Sequence, residues 1–232
     1  MSIRGEIDMS HAAMVSTTLL HNVPLFAALD EDQLGVLARM IVRKSYGRNA
    51  AIICAGDPTD SLYIVINGRL KVLMSDEQGR EVILSILGPG EFFGEMGLLD
   101  DSPRSASVVS LEPCDLLTIS KIDFKRSLAE NFDLSLLVMR GLVKRLREAD
   151  QKIGSLALMD VYGRVARLLL EMAEDVGGEK VVVKKLSKQD IAKMIGASRE
   201  MVSRVMKDLQ LGGYVEMRGR SMVLRENILL AE

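Results

Sequence analysis

The chain has no tryptophan, two cysteines, two histidines and five prolines, and aromatic residues make up only 4% of its 232 positions. Each shortage closes a class of function. Without Trp, the base-stacking platforms that proteins use on single-stranded nucleic acid are poorly supplied. Cys54 and Cys114 are far apart and lack C-x-x-C spacing, which argues against a disulfide scaffold, a zinc site or an iron–sulfur cluster. His11 and His21 both lie near the N-terminus, so the body of the chain offers no histidine for haem or for a Ser/His/Asp or Cys/His constellation. No P-loop occurs, and paired acids such as Asp100-Asp101 are more simply turn residues, so the chain does not read as an enzyme. No apolar run reaches transmembrane length and no signal-peptide pattern opens the chain. A cytoplasmic protein without metal, haem or membrane is expected.

What is present is better organised. Net charge is only −2, but eleven Lys/Arg face four Asp/Glu between Lys180 and Arg225, leaving the remainder acidic. A local basic face on an acidic protein suits phosphate-backbone binding. Residues 1–22 show no strong pattern and read as an N-terminal extension. Asp30 to Met40 carries Leu34, Leu37 and Met40 behind an acidic start, a short amphipathic helix. Between Ile41 and Ile119 come short β-rich runs: Ile52-Ile53, Leu62 to Ile66, Leu70 to Met74, Val82 to Leu87, Ala106 to Val109 and Leu116 to Ile119. Asn67-Gly68, Gln78-Gly79 and Gly88-Pro89-Gly90 punctuate them, which predicts a small antiparallel barrel or jelly roll.

From Ile122 to Leu158 the chain has no proline and reads as helix in two parts. Met139, Leu142, Leu146, Ala149, Ile153 and Leu156 recur at alternating spacings of three and four, a narrow seam with charged flanks. That is a coiled-coil signal and predicts a homodimer through a long helix. Val161 to Glu174 is a further helix, ended by Gly177-Gly178, and Val181 to Val183 reads as a strand. Ser187 with Asp190 is a capping signature for a helix to Ile195; Gly196 turns the chain, and Ser198 caps a second helix from Arg199 to about Gln210. Ala192, Gly196, Val202 and Val205 suit the packing and tight turn of a helix-turn-helix. The expected DNA-facing residues are Ser187, Ser198, Arg199, Glu200, Ser203, Arg204 and Lys207. Glu200 is out of place in a basic face unless it reads a base edge. The expected class is α+β: a β-roll sensor over 23–130, a dimerisation helix over 131–159 and a winged helix-turn-helix over 160–232.

One segment points to a ligand. Phe93-Gly94-Glu95-Met96-Gly97-Leu98 is followed, after a polar turn, by Arg104-Ser105-Ala106-Ser107-Val108. Two glycines let backbone N–H groups approach a ligand, and Glu95 is suited to a sugar hydroxyl. Arg104 and Ser105 are suited to a phosphate. Gly94, Glu95, Met96, Arg104 and Ser105 are therefore candidate effector-binding residues.

With Ile52-Ile53-Cys54-Ala55-Gly56-Asp57-Pro58, Leu62-Tyr63-Ile64-Val65 and Gly68 upstream, this segment closely resembles the cyclic-nucleotide-binding domain of the CRP/FNR superfamily of bacterial transcription regulators. Thr59 departs from the family's usual small residue. Ser198-Arg199-Glu200-Met201-Val202-Ser203-Arg204 resembles that family's recognition helix, in which the positions of Arg199, Glu200 and Arg204 make base contacts. The Gly212-Gly213-Tyr214-Val215 and Arg218-Gly219-Arg220 segments look like its winged hairpin. The resemblance implies a homodimer, near-palindromic double-stranded DNA, RNA polymerase as a partner and a cyclic nucleotide effector. In cyclic-AMP-responsive relatives adjacent Thr and Ser on the long helix contact adenine; here those positions are Ala149 and Asp150. Asp150 can still accept from an exocyclic amine. Cyclic AMP, cyclic di-GMP or no ligand at all remain open, as does a module acting only through protein partners.

Overall fold

The computed structural model describes residues 16–183, 186–219 and 221–225. They fall into two compact units, the described residues of Met1–Met74 with Leu84–Leu142, and those of Ser75–Ile83 with Val143–Glu232.

The first unit opens with α1 (Thr17–His21), capped by the Ser16 hydroxyl. Leu20, near the end of the segment expected to be an extension, is fully buried in the core; residues 1–15 of that segment lie outside the described residues. A 3₁₀ turn (Pro24–Phe26) leads to α2 (Glu31–Ala38), where Asp30 and Gln33 form a reciprocal capping box. The strands are β1 (Ile41–Tyr46), β2 (Ala51–Ile53), β3 (Ser61–Asn67), β4 (Leu70–Ser75), β5 (Glu81–Leu87), β6 (Phe92–Phe93), β7 (Ser107–Ser110) and β8 (Cys114–Ser120). A short α3 (Met96–Leu99) interrupts them between β6 and β7. Two four-stranded sheets result, ordered β1-β8-β3-β6 and β2-β7-β4-β5, with antiparallel pairing. This is the expected β-roll.

β3 and β8 explain why the roll holds. Side chains alternate across a strand. Leu62, Ile64, Leu117 and Ile119 face a core shared with the helices, while Tyr63, Val65, Leu116 and Cys114 face the interior of the roll. Both faces are buried, so these strands read as continuous apolar runs rather than alternating ones. α4 (Lys121–Glu130) and α5 (Phe132–Leu158) follow, matching the expected two-part helix. The first turns of α5 bury Leu134 and Val138 in the helix-side core, with Leu137 and Leu142 packed against it.

The second unit holds the rest of α5, then α6 (Val161–Glu171), β9 (Glu174–Val176), β10 (Glu179–Val182), α7 (Lys188–Ile195), α8 (Arg199–Leu211), β11 (Val215–Arg218) and β12 (Ser221–Leu224). One expectation is corrected here. Gly177-Gly178 does not end a helix; α6 stops at Glu171, and the two glycines turn a β9–β10 hairpin. The final sheet runs β11-β12-β10-β9, so the wing carries a short strand pair beyond the terminal hairpin. Arg220, part of the expected winged hairpin, lies outside the described residues.

Candidate effector pocket and nucleic-acid interface

The loop from β6 through α3 to β7 folds around one buried arginine. Arg104 is 6% exposed and Glu95 1% exposed, the two buried charged residues among the described residues. Burying an ion without partners is costly, and three hydrogen bonds hold the Arg104 guanidinium. Its Nη1 donates to Gly94 O at 2.9 Å, and its Nη2 donates to Ser61 O at 2.8 Å and Asp60 Oδ1 at 3.1 Å. The guanidinium also lies 5.8 Å from the centre of the Tyr63 ring, which stacks on Phe93 at 5.1 Å. Burial, with Asp60 nearby, pushes the Tyr63 hydroxyl above its usual pKa, and Arg104 partly offsets this.

Gly94 is required twice over. Its φ is +85°, and a Cβ there would stand 2.5 Å from Arg104 Nη1. Gly97 is required by space alone: a Cβ would meet Ser102 O at 2.3 Å and Thr59 Oγ1 at 2.4 Å. Thr59 donates to Ser102 O at 2.9 Å, tying the β2–β3 connection to the loop after α3. Gly56 N donates to Arg104 O and Arg104 N to Asp57 O, closing the same two segments together. The structure thus brings Gly94, Glu95, Met96, Arg104 and Ser105 into one loop cluster, with Met96 exposed and its sulfur 3.7 Å from Ser105 Oγ. Asp150 is an exposed residue of α5 in the second unit. Sequence reasoning missed Asp60; its signal was a carboxylate beside the Leu62-Tyr63 motif, which pairs with Arg104 only through the fold.

The same loop is fastened to α4. Asp101, at φ +60°, accepts from Lys121 Nζ at 2.6 Å and Lys125 Nζ at 2.9 Å. Those two ammonium groups hold its carboxyl down at about 2. These two ion pairs tie the loop to the helix that leads into α5.

Along α5 the expected seam divides. Leu142 is half-buried against the core of the first unit, whereas Met139, Leu146, Ala149, Ile153 and Leu156 are exposed, Leu146 by 63% and Ile153 by 65%. Val143 and Leu158 extend this exposed apolar set. The early turns pack on their own unit, and the later turns present a stripe.

In the second unit, α6, α7 and α8 pack on one another through Val165, Ala166, Leu169, Ile191, Ala192, Ile195, Val202, Val205, Met206 and Leu209. Ser187 caps α7 by accepting from Asp190 N, and Ser198 caps α8 by accepting from Met201 N, both at 3.1 Å. Gly196 forms the left-handed end of α7. Arg199, Glu200, Arg204 and Lys207 are exposed on α8, and Ser203 is half-buried. The Glu200 carboxylate turns back on the start of its own helix: its backbone N–H and the Ser198 hydroxyl hold it below the usual carboxylate pKa. Four of the basic residues counted in this segment are paired with acids: Lys180 with Asp175, Lys193 with Glu81, and both Arg218 and Arg225. Arg218 bonds Glu179 at 2.6 Å and Glu216 at 2.9 Å, and Arg225 bonds the same two acids. The unpaired positive surface is therefore concentrated on α8 rather than on the described wing.

Among the described residues no cluster of His, Cys, Asp and Glu is arranged to hold a metal ion, and no helix is long and apolar enough to cross a membrane. Cys54 is exposed and Cys114 buried, where burial pushes its thiol pKa up.

Comparison with known proteins agrees with both units. Residues 43–131 match the cyclic nucleotide-binding domain, and residues 163–231 match the Crp-like helix-turn-helix domain. The chain is 35% identical over 192 residues to the cAMP-activated global transcriptional regulator Vfr of Pseudomonas aeruginosa, covering 78% of this chain and 88% of that protein. It is 29% identical over 217 residues to a CRP-like cAMP-activated global transcriptional regulator of Mycobacterium tuberculosis, covering 92% and 97%. Among solved structures, the c-di-GMP-responsive global regulator CLP of Xanthomonas campestris superposes with a TM-score of 0.72 at 29% identity, covering 85% of this chain and all of that one. With the β-roll, the loop around Arg104 and the helix-turn-helix in place, the chain belongs to the CRP/FNR superfamily of transcription regulators.

Proposed function

We propose that this protein is a homodimeric, sequence-specific DNA-binding transcription regulator, gated by a cyclic nucleotide effector held in the β-roll. The observation that carries the reading is the buried Arg104, closed in by a glycine that no other residue can replace, in the same chain as the helix-turn-helix. Arg104 and Ser105 bind the effector's phosphate, Glu95 accepts from its sugar hydroxyl, and the backbone at Gly94 and Met96 lines the pocket. Phosphate competes with Asp60 for the guanidinium. Capture of Arg104 shifts the loop, and the Asp101–Lys121–Lys125 clasp conveys the shift to α4 and α5. Such gating needs an effector that binds the two conformations unequally, with a coupling of about 1–3 kcal/mol.

The effector is a cyclic mono- or dinucleotide. Relatives responsive to cAMP and a neighbour responsive to c-di-GMP both resemble the chain. Asp150 accepts from an exocyclic amine of the base. The exposed stripe of α5 is covered by the same stripe of a second copy, which sets the two α8 helices on successive major grooves of a near-palindromic site. RNA polymerase is the protein partner, the cytoplasm the place of action, and no reaction is catalysed.

Calorimetric titration against cyclic AMP, cyclic GMP and cyclic di-GMP, with DNA affinity measured in parallel, tests the reading. One ligand should bind and change the affinity for a selected duplex. A second reading has one observation in its favour: Arg104 already has Asp60, Gly94 O and Ser61 O as partners, as expected of a member that needs no ligand. Specific DNA binding that no cyclic nucleotide alters would select that reading. Turnover of any nucleotide would contradict both.

A further inference from the structure

Lys188 and Ser203 meet across the α7–α8 pair. Lys188, in the first turn of α7, donates from Nζ to Ser203 Oγ at 2.9 Å. An ammonium has three donors and no acceptor, whereas a hydroxyl has one donor and two acceptor pairs. Lys188 therefore takes an acceptor pair of Ser203 and leaves the hydroxyl's own hydrogen uncommitted. Elsewhere in the chain, helical serines return that hydrogen to the backbone: Ser127 donates to Asp123 O and Ser155 to Gln151 O, each at 2.9 Å. Among the described residues Ser203 makes no such bond. Its neighbours on the exposed side of α8 are Arg199, Arg204 and Lys207, donors only, and Glu200, whose carboxylate is turned to its own backbone N–H and the Ser198 hydroxyl.

We propose that Lys188 is a positioning residue that fixes Ser203 as a hydrogen-bond donor aimed at a base edge. A committed donor distinguishes the bases. In the major groove, guanine offers N7 and O6, adenine N7 and thymine O4, whereas cytosine presents the N4 amino donor. Ser203 should thus accept purine or thymine at one position of each half-site and reject cytosine. The inference rests on α8 being the DNA-reading helix. The competing role for Lys188 is a plain phosphate contact, which affects all sequences alike.

The test is binding-site selection from a randomised duplex pool with the full-length protein at low salt. It is run with cyclic AMP, with cyclic di-GMP and with neither. Wild-type protein should disfavour cytosine at one position per half-site by about tenfold or more. Lys188→Met and Ser203→Ala should each lose that preference, and the double variant should lose no more than either alone. Lys188→Arg, also donor-only, should keep it. Refitting the selected site with 7-deazapurine or cytosine at that position separates N7 from O6 and O4 recognition. If Lys188→Met retained every base preference while its salt slope fell by about one, Lys188 would be a phosphate anchor and the proposal would be wrong. If the wild-type protein selected no sequence under any condition, the assignment of α8 itself would fail. That result is distinct from an unchanged motif in the variants.

Discussion

Arg104 and Asp60 form an unequal pair: the arginine side chain is 5% exposed and the aspartate 77%. A phosphate can therefore displace Asp60 at little cost, because the carboxylate returns to water, whereas Arg104 has nowhere else to go. Arg104→Ala should weaken effector binding by about ten- to a hundredfold, the worth of charge-assisted hydrogen bonds. Calorimetry on the folded variant measures this, and unchanged affinity would remove Arg104 from the site. Asp60→Asn should have the opposite sign, raising affinity about two- to fivefold, since an exposed ion pair is worth little. A fall in affinity would instead make Asp60 a ligand contact. The part proposed for Arg104 was legible from its motif, whereas that of Asp60 was not. Glu and Arg near glycines are common, and only the fold brings Asp60 and Ser61 O to the guanidinium.

At the scale of elements, two short pieces carry chemistry that their helices organise. The loop after α3 is clipped to α4 by Asp101, whose carboxyl lies at about 2 against its usual 3.8. Its folded pKa is depressed, so the stabilisation is complete above about pH 4 and disappears as pH falls toward 2. Urea unfolding of wild type and Asp101→Asn should differ by a constant amount at neutral pH and converge on acidification. A gap that persisted at pH 2 would assign the effect to something other than this clasp. On α8, Glu200 sits at the capped N-terminus, where an anion is favoured by the helix dipole; base reading is its proposed further role. Glu200→Gln should relax discrimination at one base pair per half-site by about 1–3 kcal/mol. Lys207→Ala should weaken all sequences alike and flatten the salt dependence. Site selection on both variants separates the roles, and an unaltered motif with Glu200→Gln would leave Glu200 as a helix-end charge. Caps, turns and the recognition helix were legible because they depend on neighbours within a few positions. The β9–β10 hairpin was not, since Gly177-Gly178 can equally end a helix or turn a strand, and only pairing of β10 with β12 decides between them.

For the whole molecule, the exposed stripe on α5 is the proposed dimer contact. Replacing Leu146 and Ile153 together with Asp would place charges in the apolar seam, where they lack partners. Light scattering should report a monomer, and affinity for a two-half-site duplex should fall toward that for a single half-site. A dimer that survived would put the contact elsewhere. The stripe also marks where local pattern stops being decisive. A three–four repeat from Met139 to Leu156 fixes the helix and its apolar side, because those depend on the chain's own period. It does not say that Leu142 turns to the core of the first unit while Leu146 and Ile153 stay open. The sequence by itself determined most of the elements and their order, the β-roll with its helix-turn-helix, and the Gly-Glu loop and recognition-helix motifs. The tertiary structure alone decided the partners: Asp60 on Arg104, Thr59 across Gly97, Lys188 on Ser203 and Leu20 in the core. The reason is physical. Periodicity, capping and turn chemistry act over a few residues, whereas a buried charge or hydroxyl is satisfied by whichever group the fold brings within 3 Å, however distant along the chain.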